Sequence, residues 1–207
     1  MPALVILAGG KATRLKNKPS VKFNGVPMLK LIYDEISELF DEIVVSFRNK
    51  NTENKERIKK LTDNSRIIYD NKKFNSVNSP LVGIVSAFSE MKSDVVFVIP
   101  CDVPLIKRGV VELILSEIKG NKFDAAIPKN QNGFLEPLIA AYNRRAMLNA
   151  GEKALKLNKL SVKSALEELN VNYISIQKFK GVDPLLLSFK NINSTANLEE
   201  LTELEKE

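Results

Sequence analysis

Along the chain, short uninterrupted apolar runs are separated by longer segments in which apolar residues recur with helical spacing. The runs lie at residues 3–8, 42–47, 66–69, 94–99, 123–127, 137–142 and 171–176. Continuous, β-branched stretches of this kind are how strands buried on both faces of a parallel sheet read. Between them, residues 27–40 carry Met28, Leu31, Ile32, Ile36 and Leu39 on one helical face, and residues 80–91 and 109–118 repeat the period. Residues 143–169, rich in lysine and leucine, also read as helical, outside the simple alternation. Residues 193–207 read as a closing helix capped by Ser194 or Thr195. Strands alternating with helices specify an α/β fold, with a doubly wound, mostly parallel sheet and helices on both faces. No repeat, linker or break in composition divides the chain, so a single domain over 1–207 is expected.

In such a sheet a ligand sits beyond the carboxyl ends of the strands. The residues following the first four runs are Gly9-Gly10, then Ser46 to Asn49, then Asp70, then Pro100-Cys101-Asp102. The first of these tips continues as LAGGKATRLKNK. Two glycines behind an apolar run leave the backbone bare and able to turn consecutive N–H groups toward an anion, and Lys11, Arg14, Lys16 and Lys18 supply cations beside it. A tight strand-to-helix turn with solvated lysines explains the same stretch equally well. Neither the Walker ending Gly-Lys-Ser/Thr nor the Rossmann G-x-G-x-x-G occurs there, which leaves a different nucleotide loop as the phosphate-binding candidate.

Composition narrows the chemistry. The chain has 207 residues, 44% of them apolar, enough for one sizeable core. It contains no histidine, so imidazole acid–base catalysis and histidine-ligated zinc are excluded; carboxylates, lysines, backbone amides and a hard metal ion remain. The net charge of +6 is spread along the chain without a dense basic block, and there is no Trp for base stacking. That distribution suits a polyanionic small substrate at least as well as nucleic acid. A single cysteine, Cys101, cannot form an internal disulfide. With no membrane-length apolar run and no basic leader ahead of the first strand, no membrane association is expected and a cytoplasmic location is.

LAGGKATRL resembles the L-A-G-G-x-x-x-R-[ML]-G-x-x-K signature of the nucleotidyltransferase superfamily, and later matches narrow the resemblance to the molybdenum cofactor guanylyltransferases, the MobA-like nucleotidyltransferases. Asn24-Gly25-Val26-Pro27-Met28-Leu29 is similar to that family's N-G-x-P-L-L, and Ile68-Tyr69-Asp70 to its strand-ending aspartate. Pro80-Leu81-Val82-Gly83-Ile84 is similar to G-P-L-A-G-I, and Pro100-Cys101-Asp102-Val103-Pro104 to P-C-D-M-P. Glu136-Pro137-Leu138 and Asn191-Ile192-Asn193 match E-P-L and N-I-N-T. The matches occur in the family's order across nearly the whole chain. Lys16 and Ser79 each stand where the family pattern has a glycine.

The resemblance implies a Mg²⁺-dependent enzyme that moves GMP from GTP to the molybdopterin cofactor. Its cytidylyl and adenosylcobinamide-phosphate relatives are the alternatives within the class, and a non-catalytic nucleotide-binding protein lies outside it. The N-terminal part would bind nucleotide and residues from about 120 to 207 the acceptor, with transient contacts to molybdoenzymes or other cofactor-biosynthesis proteins. Leu7, Ala8, Gly9 and Gly10 would offer backbone groups to the nucleotide. Ser46 holds the position of an asparagine that touches the base, Asn49 would substitute for that asparagine, and Asp70 is a further polar contact. Arg14 and Lys18 would neutralise phosphate charge, and Asp102 would hold Mg²⁺. Asp102 and Asp70 also suit plain turns. Cys101 reads as a small buried hydrophobe beside the site.

Overall fold

The seven apolar runs form one sheet. The computed structural model describes residues 1–8, 18–48, 52–63, 65–71, 79–120 and 122–204. Numbered in chain order, the strands are β1 (Ala3–Leu7), the short pair β2 (Lys22–Phe23) and β3 (Val26–Pro27), β4 (Glu42–Phe47), β5 (Arg66–Tyr69), β6 (Val95–Pro100), β7 (Ala125–Lys129), β8 (Ala140–Asn143) and β9 (Val171–Ser175). The large sheet has the order β5-β4-β1-β6-β8-β7-β9. β1 pairs in parallel with β4 on one edge and β6 on the other, β5 is parallel to β4, and β9 is parallel to β7. β8 runs antiparallel to both of its neighbours.

The helices are α1 (Met28–Ile36), α2 (Thr52–Leu61), α3 (Pro80–Glu90), α4 (Arg108–Glu117), α5 (Arg144–Lys156), α6 (Val162–Leu166) and α7 (Thr195–Leu204). Alternate strand residues feed two separate cores, as the period of two requires. Leu4, Ile6, Val45, Phe97 and Ile99 pack on one face with Leu29, Ile32 and Ile36 of α1 and Val110, Val111 and Ile114 of α4. Ala3, Val5, Val44, Val96 and Val98 pack on the other with α3, α5 and α6. Each fully buried aliphatic side chain contributes about 1.5–3 kcal/mol, so strand and helix residues secure both layers together. A third, smaller cluster joins Phe23, Met28, Leu105, Leu187, Ile192 and Leu201.

Several boundaries differ from the sequence expectation for identifiable reasons. The helix expected over 27–40 begins at Met28 because Asn24 and Gly25 adopt positive φ (47° and 82°) and turn β2 back onto β3. Asn-Gly is the favoured pair for such a hairpin turn. The helical stretch 143–169 is broken between α5 and α6, where Asn158 is left-handed at φ 56°. The run at 137–142 enters its strand at Ala140, after a turn in which the Ile139 N–H donates to Glu136 O at 3.1 Å. α2 carries few apolar residues and buries Ile58, too sparse a stripe to stand out in the sequence. The closing helix has the expected cap: Ser194 Oγ accepts from the Asn197 N–H at 3.2 Å.

α3 and α5 cross closely at Gly151, where an added Cβ would lie 2.6 Å from Val85 Cγ2 and 3.3 Å from Leu81 Cδ1. Alanine is intrinsically the better helix former by about 1 kcal/mol, yet Gly151→Ala should destabilise the protein by about 1–3 kcal/mol through overpacking. Urea denaturation of Gly151→Ala, and of Gly151→Ala combined with Val85→Ala, checks this: the second substitution should return part of the loss.

Candidate functional site

The strand order reverses at β1: β4 and β5 lie to one side and β6 to the other. The carboxyl ends of β1 and β6 therefore border the crevice where open α/β sheets take their ligands. Ladder hydrogen bonds continue just beyond the strands and level these tips. The Ala8 N–H donates to Ser46 O at 2.8 Å, the Cys101 N–H to Leu7 O at 3.0 Å, and the Asp70 N–H to Phe47 O at 2.9 Å. Leu7, Ala8, Ser46, Asp70 and Asp102 thus share one rim. Gly9, Gly10, Arg14 and Asn49 lie outside the described residues, as does the side chain of Lys18. The Lys18 backbone opens a short 3-10 turn, Lys18–Ser20, that leads into the β2–β3 hairpin.

Three of these residues converge on one glycine. A Cβ added to Gly83, in the first turns of α3, would stand 3.3 Å from Leu7 Cδ2, 3.3 Å from Ser46 Oγ and 3.6 Å from Asp70 Oδ1. Ser46 is buried, and its hydroxyl donates to Gly83 O over a long 3.5 Å. The Asn71 N–H donates to Ser86 Oγ, one helical turn further on, at 2.9 Å. α3 itself starts on a capped turn: Ser79 Oγ accepts from the Leu81 N–H at 3.0 Å, and Pro80 takes the first helical position, where a missing N–H costs nothing. Ser79, which replaces a glycine of the resembled motif, also donates its hydroxyl to Leu160 O. Gly83 lies within the Pro80–Ile84 stretch, and the sequence alone assigns it no role. Its signal was its position inside a helical pattern, where glycine costs about 1 kcal/mol against alanine and asks for a packing reason.

Asp70 is the electrostatically perturbed member of the rim. Burial pushes its carboxyl up to about 6, against the opposing pull of the Arg48 guanidinium. A carboxyl in that range binds a proton or a cationic ligand group more readily than a solvated one. Arg48, immediately beyond β4, escaped the sequence reading because an isolated arginine after a strand carries no distinctive pattern.

On the other side of the crevice, Asp102 follows β6, and its Oδ1 is withdrawn from solvent. Its backbone carbonyl accepts from the Ile192 N–H at 2.8 Å, which brings the segment 191–193 alongside, with Asn191 and Asn193 flanking the tether. Val103, Leu105 and Ile106 bury the loop that follows. Among the described residues no group of three or more His, Cys, Asp or Glu could hold a metal ion. Asp102 offers a single carboxylate oxygen pair at this tip. That donor set suits Mg²⁺, which favours one or two carboxylates together with substrate phosphates. Cys101 is buried, in keeping with a packing role. β7 points the same way as β6, so the loop 130–139 also opens on this rim. There Asn130 Nδ2 donates to Glu136 Oε1 at 3.0 Å, and burial raises the Glu136 carboxyl above its ordinary value.

Comparison with known proteins identifies the family. The family model described as a MobA-like NTP transferase domain matches residues 4–171. The molybdenum cofactor guanylyltransferase of Desulfosudis oleivorans is 30% identical over 197 residues, covering 94% of this chain and 91% of that one. A probable molybdenum cofactor guanylyltransferase of Natranaerobius thermophilus is 30% identical over 203 residues, covering 95% and 92%. Among solved structures, the molybdopterin-guanine dinucleotide biosynthesis protein A of Archaeoglobus fulgidus superposes with a TM-score of 0.80 at 26% identity, covering 99% of this chain and 98% of that one. Among the described residues no helix is long and apolar enough to cross a membrane.

The raised Asp70 carboxyl has a signed consequence for stability. Its folded value of about 6 lies above the reference 3.8, so between these values the folded state holds more protons than the unfolded state and this group's contribution to stability falls as pH rises. Above pH 6 the ionised carboxylate is a net cost to the ligand-free fold. Asp70→Asn should therefore melt higher than the parent at pH 7.5, and the gain should shrink toward pH 4. Melting curves at the two pH values check it; an equal shift at both would show that Asp70 ionisation does not set the difference.

Proposed function

Because the chain belongs to the MobA-like NTP transferase family, we propose that it transfers GMP from GTP to the terminal phosphate of the molybdopterin cofactor and releases pyrophosphate. The observation that carries this reading is the juxtaposition of the two tips at the reversal of strand order, where the Cys101 N–H reaches Leu7 O and sets Asp102 beside the end of β1. The names of relatives that align over more than nine-tenths of the chain support guanylyl transfer to this acceptor.

An oxygen of the acceptor phosphate attacks the α-phosphorus of GTP, the new P–O bond forms, and the bond to the bridging oxygen of pyrophosphate breaks. The acceptor oxygen is already ionised, so the chain needs no general base, in keeping with its lack of histidine. Asp102 would hold Mg²⁺, whose chemistry here is to neutralise phosphate charge and fix the oxygens in place. Lys18 and Arg14 would stabilise the charge that gathers on departing pyrophosphate, a task for fixed cations. Gly9 and Gly10 would admit the phosphates to backbone N–H groups. Leu7 and Ala8, with Ser46, Asn49 and Asp70, would border the nucleoside. The product would be handed in the cytoplasm to molybdoenzymes or other cofactor-biosynthesis proteins through transient contact.

Pyrophosphate release should require GTP, Mg²⁺ and molybdopterin together, and Asp102→Asn should lower turnover by at least about a hundredfold, equivalent to roughly 3 kcal/mol, with its melting temperature retained. Near-parental turnover in that variant would remove Asp102 from the reaction. GTP should also raise the melting temperature more than ATP or CTP does, since a ligand stabilises the state it binds. Stronger protection by CTP would replace guanylyl with cytidylyl transfer.

A further inference from the structure

Asp183 is a buried acidic residue, 2% exposed, that the proposed reaction does not use. Its two carboxylate oxygens are both engaged by the backbone ahead of it: Oδ1 accepts from the Leu187 N–H at 3.1 Å and Oδ2 from the Ser188 N–H at 2.8 Å. The turn so fixed includes Leu186 in the left-handed region, at φ 53°, a conformation that costs a residue with a side chain about 1 kcal/mol or more and persists where its surroundings over-determine it. Asp183 supplies that determination.

The turn in turn grips the loop behind Asp102. Ser188 is fully buried; its Oγ accepts from the Lys107 N–H at 3.0 Å and donates to Leu105 O over 3.5 Å. Four residues later the Ile192 N–H donates to Asp102 O at 2.8 Å. The segment from Asp183 to Ile192 is therefore a strap fastened at both ends of the Asp102–Lys107 loop. Its buried side chains Leu187 and Ile192 share a cluster with Leu105, and with Phe23 and Met28 from the chain that follows Lys18. The two hydrogen bonds to Asp183 fix the geometry of this turn, and groups that orient a metal ligand typically govern affinity tenfold to a hundredfold.

Resting on the reading of Asp102 as the metal-holding carboxylate, we propose that Asp183 is a positioning residue: through Ser188 and the strap it sets the backbone of the Asp102 loop, and so the capture of a divalent cation with the nucleotide. The residue acts on metal affinity and not on the affinity of the nucleotide by itself.

The test uses Mn²⁺ as the probe, titrated by electron paramagnetic resonance against the full chain in the presence of GTP, beside calorimetric GTP binding without metal. Ser188→Ala and Asp183→Asn should each weaken Mn²⁺ binding by about tenfold and leave metal-free GTP affinity within about twofold of the parent. Gly151→Ala, which overpacks the α3–α5 contact in a core cluster separate from that of the strap, serves as the control for lost stability and should leave Mn²⁺ affinity unchanged. If Asp183→Asn fails to fold, the folded Ser188→Ala variant decides the matter. Parental Mn²⁺ affinity in folded Ser188→Ala, or an equal loss in Gly151→Ala, would overturn the inference while the guanylyltransfer reading stands. Mn²⁺ binding by the parent that survives Asp102→Asn would overturn the metal assignment and the inference with it.

Discussion

The burial of β1 on two faces and two edges is the constraint on which the rest of the molecule depends. Ala3, Leu4, Val5 and Ile6 are wholly removed from solvent, their side chains divided between the two cores and their backbone groups committed to β4 and β6. A strand held this way cannot slide by one residue without turning every side chain to the wrong core. The rim inherits that rigidity: whatever follows Ala8 starts from a fixed point, and the tip of β6 is tied to it through Leu7 O. Precision at the crevice is thus set by apolar packing in the sheet before any charged group is considered.

Upon this frame the polar residues are placed at some cost. Asp70 sits where its ionised form is disfavoured by burial, and Gly83 gives up helical propensity so that Leu7, Ser46 and Asp70 can close around α3. Both are local departures from what stability would select. Such departures concentrate at working surfaces, where the geometry serves a ligand in place of the empty fold. Surface pairs such as Arg66–Glu42 and Arg108–Glu38 are of another kind, exposed at the guanidinium and of small consequence for either stability or chemistry.

Much of this was legible in the sequence, for reasons that separate strands from their surroundings. Continuous apolar runs mark all seven strands of the large sheet within a few residues of their ends, from the doubly buried β1 to the partly exposed edges β5 and β9. The residues after β1, β4, β5 and β6 could be assigned to one rim because a parallel sheet leaves its carboxyl ends on one side. What escaped was set by contacts between distant segments. α2 is nearly all charged and earns its place by burying Ile58. The orientation of β8 depends on the turn at 136–139. The strap from Asp183 to Ile192 unites residues about eighty positions from the loop they hold, and no periodicity in either segment signals the pairing. Asp183 reads as an ordinary polar residue between Val182 and Pro184 until the chain is folded around it.

The reversed direction of β8 bears on how the molecule can change. A parallel neighbour after β7 would have needed a crossover helix and a return across the whole sheet. Because β8 enters by the edge at which β7 leaves, the connection 130–139 begins and ends on the rim and never touches the opposite side. Its exposed tip, residues 131–134, can drift by insertion or deletion while Glu136 and Pro137 stay tied to Asn130 and Tyr142 and the register of β6, β8 and β7 is kept. The part of the rim at this tip is therefore the evolvable one, free to be refitted to new molecular shapes beside a frame around β1 that cannot move.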